Sequence, residues 1–475
     1  MRRVHFIAVG GSVMHQLALA LAEQGFDVSG SDDEIRDPAR GRLAERGLLP
    51  PREGWFPEKI TPELDFVIAG MHARADNPEL LRAQSLGLPL YSFPEYVYRH
   101  AENKQRIVVA GSHGKTTVTA MIMTILKASG RDFDYLVGAK VPGFDSTIRL
   151  SEAAPVMVIE GDEYLSGAFD PRPKMVAYRP HVVVVTGISW DHINVFPTFE
   201  AYKEVFIQLL KSLCKAGVCV YAQEDPTVNE LASTLLRKEW HYPAPYHALP
   251  YRVRAGKATV KMDGLRVPIN VIGKHNAANF AAALEVCRNQ LAVPAATCAR
   301  AIESFTGAAM RIETVFQSDK AVVLRDFAHA PSKVKATLDA VKTFYHNRRL
   351  VAVLELHTFS SLNKDFLPQY RNLLKGVREK IVLIDRAAVQ LKRMEAPSVK
   401  DVHKAFNDPN IKVVYTRDEL LAALRAAIAP PKKYLISAPG LLKAPKALIA
   451  VLLMSSGGLA GLPISPKEIP QWLST

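Results

Sequence analysis

The stretch that decides the fold is Arg106-Ile107-Val108-Val109-Ala110-Gly111-Ser112-His113-Gly114-Lys115-Thr116-Thr117. Residues 106–110 have the apolar pattern of a buried strand, and residues 118–128 have the pattern of an amphipathic helix. The glycines between them allow the chain to curl so that backbone N–H groups face phosphate oxygens, and the positive end of the helix dipole attracts the same anion. The stretch therefore predicts a phosphate-binding loop between a parallel strand and a helix.

Every residue of this loop is a candidate nucleotide contact, and two of them have specific predicted roles. Lys115 would reach the β- and γ-phosphates, and the hydroxyl of Thr116 would coordinate Mg²⁺. The other predicted contacts are Gly111, Ser112, His113, Gly114 and Thr117. The alternative is a glycine turn that precedes Lys-Thr by chance, and the order of strand, loop and helix argues against it. ATP and Mg²⁺ are the predicted cofactors.

Short β-branched runs alternate with helical patterns on both sides of the loop, which predicts an α/β fold with parallel sheets. Strands are expected at residues 4–9, 66–69, 107–110, 156–159, 182–185, 321–324, 350–354 and 381–384. Residues 251–272 instead have the alternating pattern of a hairpin, with a turn at Asp263-Gly264. Changes in pattern divide the chain into domains at residues 1–104, 105–307 and 308–475.

Composition favours a cytoplasmic bacterial enzyme over a membrane or secreted protein. The 475 residues are enough for about three domains. Apolar stretches are too short for a bilayer span, and the N-terminus lacks the apolar region of a signal peptide. The net charge of +13 could indicate nucleic acid, but the basic residues are scattered, so polyanionic small substrates are the simpler explanation. We expect no nucleic-acid partner, no membrane insertion, and a monomer or weak homo-oligomer.

Acidic residues follow the strand expected at residues 156–159, in the order Glu160-Gly161-Asp162-Glu163. A carboxylate at the carboxyl end of a strand, beside a phosphate loop, lies where a hard cation is held. The next strand is followed by Trp190-Asp191-His192. A lone histidine in such a place is more often structural than catalytic, so His192 becomes a candidate only through its position in the series.

The phosphate loop is shorter than the general form, with only Ser112 and His113 between its first glycine and the Gly-Lys pair. This short form resembles the Mur ligase and folylpolyglutamate synthetase superfamily. His113 resembles the branch that acts directly on UDP-N-acetylmuramate. The resemblance implies an N-terminal Rossmann-like UDP-binding domain, a central P-loop ATPase-like domain and a C-terminal Rossmann-like domain.

The same resemblance assigns roles to residues after the loop. It implies that Glu160 and His192, with Thr116, hold the metal ion, and that Lys115, Glu160, His192 and His329 are catalytic. The segment 273–279 matches the family element that recognises adenine, through His275, Asn276 and Asn279. Arg311 matches an arginine that reaches the ATP phosphates, and Asp326 matches the ribose-binding aspartate. Without the resemblance, the 273–279 segment would be interpreted as an Asn-capped helix.

The N-terminal segment 9–15 follows a strand and opens a helix, but lacks the spacing of a dinucleotide fingerprint. It resembles the glycine-rich element that holds the UDP diphosphate in the family, although Val13 replaces one glycine. The predicted contacts with the sugar nucleotide are Gly10, Gly11, Ser12, Ser31, Asp32 and His113.

Within the family, segments 163–180, 354–363 and 454–461 resemble the murein peptide ligases. These enzymes join UDP-N-acetylmuramate to the tripeptide L-alanyl-γ-D-glutamyl-meso-diaminopimelate. The resemblance implies that Glu355, His357, Ser360 and Asn363 contact the peptide, although Glu355 and His357 could equally be ordinary residues at a strand end. Its implied mechanism is activation of a carboxylate as an acyl phosphate, followed by attack of an amine.

Several residues depart from the family pattern. His357 replaces an arginine, Ala330 a second histidine, Gly187 an asparagine and Asn194 an aspartate. Three alternatives therefore stay open: the same chemistry with free L-alanine, a nucleotide-binding regulator that has lost activity, and a nucleic-acid motor.

Overall fold

The computed structural model describes residues 2–193, 195–236, 239–429 and 448–473. They form two compact units. The first comprises residues 1–188, 200–248 and 278–302, and the second comprises residues 189–199, 249–277 and 303–475. Asn194, one of the departures noted above, lies outside the described residues.

The first unit begins with a sheet of parallel strands. Its strands are β1 (Arg3–Ile7), β2 (Asp27–Ser31), β3 (Phe66–Ala69) and β4 (Leu90–Ser92). Their order is β2-β1-β3-β4. The accompanying helices are α1 (Met14–Glu23), α2 (Ala39–Glu45), α3 (Pro78–Ser85) and α4 (Phe93–His100). Asn77 caps α3 by accepting the N–H groups of Glu79 and Leu80, as an Asn-Pro helix start favours.

A second sheet of the first unit contains the phosphate loop. Its strands are β5 (Gln105–Ala110), β6 (Asp134–Leu136), β7 (Ile148–Arg149), β8 (Val156–Glu160), β9 (Val182–Val185), β10 (Gly217–Ala222) and β11 (His241–Tyr246). Their order is β11-β10-β9-β5-β8-β6-β7, and among these strands β7 is the antiparallel one. Because β5 lies between β8 and β9, the loops after all three strands meet at one sheet edge, where ligands bind in such folds.

The helices around this second sheet include the one that follows the phosphate loop. They are α5 (Lys115–Ala128), α6 (Lys174–Ala177), α7 (Phe199–Lys211), α8 (Pro226–Leu235), α9 (Lys274–Leu284) and α10 (Ala295–Ser304). Helix α9 continues into a π-helical segment at Glu285–Gln290. In α5, the side chains from Thr116 to Met123 are all buried, which fixes the helix on its sheet.

The second unit contains a small antiparallel sheet of β12 (Tyr251–Arg254), β13 (Lys257–Met262) and β14 (Leu265–Ile269). The predicted hairpin is confirmed as β13–β14. Asp263 and Gly264 have φ angles of +49° and +82°, as a two-residue hairpin turn requires. Strand β12 is an addition that the sequence analysis did not predict.

The main sheet of the second unit consists of β15 (Glu313–Gln317), β16 (Ala321–Asp326), β17 (Arg349–Glu355), β18 (Glu379–Leu383), β19 (Lys412–Val414) and β20 (Ile449–Met454). Their order is β15-β16-β20-β17-β18-β19, with β15 antiparallel to β16. The helices are α11 (Pro331–Phe344), α12 (Phe359–Leu362), α13 (Arg386–Leu391), α14 (Val399–Phe406), α15 (Arg417–Ile428) and α16 (Ile469–Leu473). Val322 and Leu324 pack into one core while Val323 packs into the other, so the sheet is covered on both faces.

The predicted α/β class with parallel sheets is confirmed, and each of the eight expected strands is present within a few residues of its expected bounds. The domain boundaries stay a prediction. Within the described part of the chain, no helix is long and apolar enough to cross a membrane.

Candidate active site

The phosphate loop joins β5 to α5 through two glycines with positive φ, +128° at Gly111 and +78° at Gly114. L-residues with side chains rarely adopt such angles. A Cβ atom on Gly111 would overlap Thr186, and one on Gly114 would overlap the amide of Asn279. Both glycines are therefore required by conformation and by space, and Asn279 lies directly against the loop as a nucleotide contact would.

Lys115, the first residue of α5, is held from two sides. Its Nζ atom donates to Glu163 Oε2 at 2.8 Å and to the carbonyl oxygen of Gly111 at 2.8 Å. Burial alone would lower the pKa of Lys115, but the nearby carboxylates, chiefly that of Glu163, raise it above its usual value. Lys115 is therefore a cation throughout the neutral range.

The predicted oxygen ligands of a metal ion lie together beside Lys115. Thr116 Oγ1 donates to Glu160 Oε1 at 2.8 Å, and the backbone N–H of Gly138 donates to Glu160 Oε2 at 2.6 Å. A hydroxyl and a carboxylate fit Mg²⁺, which takes oxygen ligands and usually keeps several waters and phosphate oxygens. In the part of the chain that the structure describes, no group of three or more His, Cys, Asp or Glu residues could hold a metal by itself. The site thus fits a metal ion that arrives with phosphate.

Glu163 is a residue that the sequence analysis did not identify as part of the site. Its side chain is 2% exposed, and besides Lys115 it contacts Tyr202, whose hydroxyl lies 3.4 Å from Glu163 Oε1. That hydroxyl also lies 2.9 Å from Ser112 Oγ in the loop. The available signal was the acidic residue three positions after Glu160, but nothing in the sequence indicated that it would pair with Lys115.

The segment after Glu163 connects the phosphate-loop sheet with helix α4. Arg172 donates to Asp170 at 2.8 Å and to Glu95 of α4 at 2.7 Å, and Ser92 at the start of α4 donates to Asp170 at 2.6 Å. The carboxylates raise the already high pKa of Arg172, so this connection is ionic. It fixes the predicted sugar-nucleotide region and the phosphate loop within one compact unit.

The predicted sugar-nucleotide contacts lie at the carboxyl ends of β1 and β2. The N–H of Gly10 donates to Asp32 Oδ2 at 2.7 Å, and burial raises the pKa of Asp32 to about 6. Gly11 and Ser12 follow Gly10 in the loop before α1. Ser31 is fully buried next to His5, so its hydroxyl faces the interior rather than solvent.

The start of α9 carries the other predicted adenine contacts, in the second unit. Asn276 Nδ2 donates to the carbonyl oxygen of Ile272 at 2.9 Å. The ring of His275 lies against Gly273, and burial lowers its pKa to about 4, so the ring is neutral. Asn276 and His275 therefore brace the helix start, which is the structural role that the sequence analysis left open.

In the second unit, His192 belongs to a charged cluster with Asp191 and Lys333. The Nζ atom of Lys333 lies 2.7 Å from Asp191 Oδ2, and His192 Nε2 lies 3.8 Å from the same oxygen. Although burial would raise the pKa of Asp191, Lys333 and the neighbouring histidines hold it well below its usual range. Lys333 was missed by the sequence analysis because its partner lies 142 residues away.

His329 follows β16 in the same unit, and burial lowers its pKa to about 3. It is therefore a neutral imidazole at physiological pH. Its Nδ1 lies 2.8 Å from the carbonyl oxygen of Phe327. Because a carbonyl only accepts, Nδ1 carries the proton and Nε2 carries the lone pair.

The predicted ribose aspartate, Asp326, is 6% exposed and accepts three hydrogen bonds in its own unit. They come from the N–H groups of Ile312 at 2.7 Å and Ala328 at 2.8 Å, and from Thr337 Oγ1 at 3.0 Å. Burial raises the pKa of Asp326 despite the nearby Arg311. The guanidinium of Arg311 lies over the ring of Phe327, 5.1 Å from its centroid.

The predicted peptide contacts lie at the carboxyl end of β17. Glu355 is 1% exposed, and its Oε2 accepts from Ser455 Oγ and from the N–H of Leu459 at 3.0 Å. Its Oε1 lies 3.8 Å from Nδ1 of His357. Ser360 accepts from the N–H of Ile193 at 3.3 Å, and Asn363 accepts from the N–H of Asp365 at 2.8 Å. Glu355 and His357 are thus brought together, while Ser360 and Asn363 have local structural partners.

The chain matches three family models. They are described as Mur ligase family, catalytic domain, over residues 3–105; Mur ligase middle domain, over residues 109–287; and Mur ligase, glutamate ligase domain, over residues 310–440.

Individual proteins give similarities to two kinds of ligase. A UDP-N-acetylmuramate–L-alanine ligase from Sulfurihydrogenibium sp. (strain YO3AOP1) is 30% identical over 370 residues, which cover 77% of this chain and 79% of the relative. The UDP-N-acetylmuramate:L-alanyl-γ-D-glutamyl-meso-diaminopimelate ligase from Neisseria meningitides is 27% identical, with a TM-score of 0.57 over 64% of this chain and 98% of the other. The UDP-N-acetylmuramate–alanine ligase from Thermotoga maritima is 20% identical, with a TM-score of 0.69 over 100% of both chains, which shows a shared fold.

Proposed function

Because this chain belongs to the Mur ligase family, whose members are ATP-dependent, ADP-forming amide ligases, we propose that it joins UDP-N-acetylmuramate to the tripeptide L-alanyl-γ-D-glutamyl-meso-diaminopimelate. The observation that carries the ligase chemistry is the cluster of Lys115, Thr116 and Glu160 at the phosphate loop, within 2.8 Å of one another or of a shared carboxylate partner. A cation and two oxygen ligands at a helix N-terminus suit the transfer of a γ-phosphoryl group.

In the first step, the lactyl carboxylate of UDP-N-acetylmuramate attacks the γ-phosphorus, and ADP leaves. The loop N–H groups and Lys115 stabilise the charge that develops on the phosphoryl oxygens. Thr116 and Glu160, with His192 by family resemblance, would hold the Mg²⁺ ion, which supplies further neutralisation of that charge. The product of this step is an acyl phosphate, whose carbon–oxygen bond breaks more readily than that of a free carboxylate.

In the second step, the peptide amine attacks the acyl carbon, phosphate leaves, and the nitrogen loses a proton. His329 is the predicted contributor near that amine. Because its Nε2 carries a lone pair but its pKa is about 3, His329 accepts a hydrogen bond from the amine rather than a proton at neutral pH. It therefore orients the nucleophile.

The choice of tripeptide rests on the region around Glu355. In the described chain, three buried polar atoms there have no hydrogen-bond partner: Glu355 Oε1, His357 Nδ1 and Ser456 Oγ. Buried polar atoms are rarely left unpaired, so a polar ligand such as a peptide is a suitable partner. This supports a larger and more polar acceptor than alanine.

Free L-alanine is the second candidate, favoured by the name of the Sulfurihydrogenibium relative. Phosphate release from ATP, measured with UDP-N-acetylmuramate and Mg²⁺ and with each acceptor separately, distinguishes the two. We expect a higher kcat/KM with the tripeptide. A higher value with alanine would overturn the choice of acceptor, and release with neither acceptor would overturn the ligase proposal itself. The Lys115→Ala variant gives the background rate.

A further inference from the structure

We propose that Lys333 is a positioning residue that fixes the conformation of His192 through the carboxylate of Asp191. The inference rests on the proposed function only in giving His192 a task near the metal ion. The three residues belong to the same compact unit.

The two oxygens of Asp191 have different partners. Oδ2 takes the ammonium of Lys333 at 2.7 Å, and Oδ1 accepts the backbone N–H of His192 at 2.8 Å. The side chain of Asp191 is 4% exposed, and that of Lys333 is 21% exposed. One nearly buried carboxylate thus links a cation from α11 to the backbone of the histidine.

The backbone of His192 needs this support. Its φ angle is +57°, in the left-handed region that residues with a Cβ atom adopt only at a cost. The N–H bond to Asp191 holds one side of the residue, and the carbonyl oxygen of His192 accepts from the N–H groups of Val195 and Phe196, both at 2.9 Å. The left-handed conformation sets the direction in which the imidazole leaves the chain.

Asp191 in turn needs Lys333. A carboxylate that is removed from water is costly unless a cation or several donors compensate it. Lys333 makes the direct contact, whereas His329, the next basic group, is a neutral ring. Without the ammonium, the carboxylate would either turn toward water or lose its charge, and the hydrogen bond to the N–H of His192 would weaken.

The sequence around α11 fits this role. Ala330, the N-cap of α11, stands where the family pattern has a second histidine, and its side chain makes no cap hydrogen bond. Lys333 follows three residues later, and residues at that spacing lie on the same face of a helix. This chain therefore places a permanent cation near the position where the family pattern has a ring.

The test compares Lys333→Met and Lys333→Arg with a matched control, Lys335→Met. Lys335 lies on the same helix, is 71% exposed and pairs with Asp339 at 2.9 Å. The first readout is the proton–carbon spectrum of enzyme labelled at histidine Cε1, with the His192 signal assigned by loss in His192→Gln. We expect Lys333→Met to shift or broaden that signal, while Lys333→Arg and Lys335→Met leave it in place.

The second readout is Mn²⁺ binding to the enzyme–ADP complex, measured by electron paramagnetic resonance without turnover. Loss of a group that orients a metal ligand weakens metal binding by about tenfold to a hundredfold, and we expect a rise in Kd of that order in Lys333→Met. Lys333→Arg should recover most of it. If Lys333→Met proves unstable, the double variant Lys333→Met/Asp191→Asn removes the uncompensated charge and should show the same two changes.

Two outcomes separate the inference from the proposed function. An unchanged His192 signal in folded Lys333→Met, or in the folded double variant, would overturn the positioning role. A shifted signal together with wild-type Mn²⁺ binding in His192→Gln would support the positioning role and would instead contradict the metal role of His192.

Discussion

The Nζ atom of Lys115 lies 2.8 Å from the carboxylate of Glu163 and 2.8 Å from the carbonyl oxygen of Gly111. A lysine ammonium has three N–H donors. Two of them are used inside the protein, and the third is left to a phosphate oxygen. Glu163 therefore sets the direction in which Lys115 presents its charge to the nucleotide.

Glu163→Gln should lower kcat/KM for ATP while the protein stays folded. The amide keeps the shape of the side chain but replaces a charge-assisted hydrogen bond with a neutral one, a loss of about 1–2 kcal/mol, or roughly tenfold in rate. Steady-state phosphate release measures the change. Asp162→Asn is the matched control, because Asp162 pairs with Lys174 at 2.8 Å rather than with Lys115. An equal loss in both variants would contradict a specific role for Glu163.

Gly114→Ala should weaken ATP binding strongly, because the new Cβ atom meets Asn279 as well as an unfavourable φ of +78°. Gly130→Ala is the control, since Gly130 has a φ of +71° with open space around it. The left-handed conformation alone costs about 1–2 kcal/mol in either variant. We expect similar losses in the free energy of unfolding from this shared cost, and an increase in the ATP Kd of about tenfold or more only in Gly114→Ala. Calorimetric titration with a non-hydrolysable ATP analogue tests this, and equal ATP affinities would refute it.

The buried neutral His329 should make stability depend on pH. Its pKa falls from 6.5 to about 3 on folding, so between these values the unfolded state binds a proton that the native state does not. Stability from this group is complete above pH 6.5 and is lost as the pH falls toward 3, with a slope of at most about 1.4 kcal/mol per pH unit.

Denaturant unfolding of the wild type and of His329→Gln, from pH 7.5 to pH 5, isolates this contribution. The difference between their free energies of unfolding should shrink in favour of the variant as the pH falls. His346→Gln, at an exposed position after α11, is expected to give a difference that does not change with pH. A constant difference for His329→Gln would mean that the ring is not kept neutral in the native state.

The local part of the site could be predicted from sequence, and the long-range part could not. Lys115, Thr116 and the two loop glycines lie in one continuous motif, whose spacing is set by the curl around a phosphate. Glu160 follows from its place at the end of a strand. The partners of these residues are different: Glu163 reaches Lys115 across 48 residues and Lys333 reaches Asp191 across 142. Such pairs depend on how side chains meet after folding, and no spacing rule in a single sequence encodes them.

The neighbouring glycines Gly457 and Gly458 give the sharpest test of the peptide region. A Cβ atom on Gly457 would lie 2.5 Å from His357 Nδ1 and 2.9 Å from Glu355 Oε2, whereas one on Gly458 would meet nothing within 4 Å. Gly457→Ala should therefore displace His357 or Glu355 and raise the KM for the acceptor by about tenfold, since a misplaced substrate contact costs roughly 1–2 kcal/mol. The KM for ATP should stay unchanged, because the phosphate loop is untouched. Gly458→Ala should behave as the wild type in both respects. If the two variants have the same acceptor KM, the cluster of Glu355 and His357 does not contact the acceptor, and the peptide must bind elsewhere in the second unit.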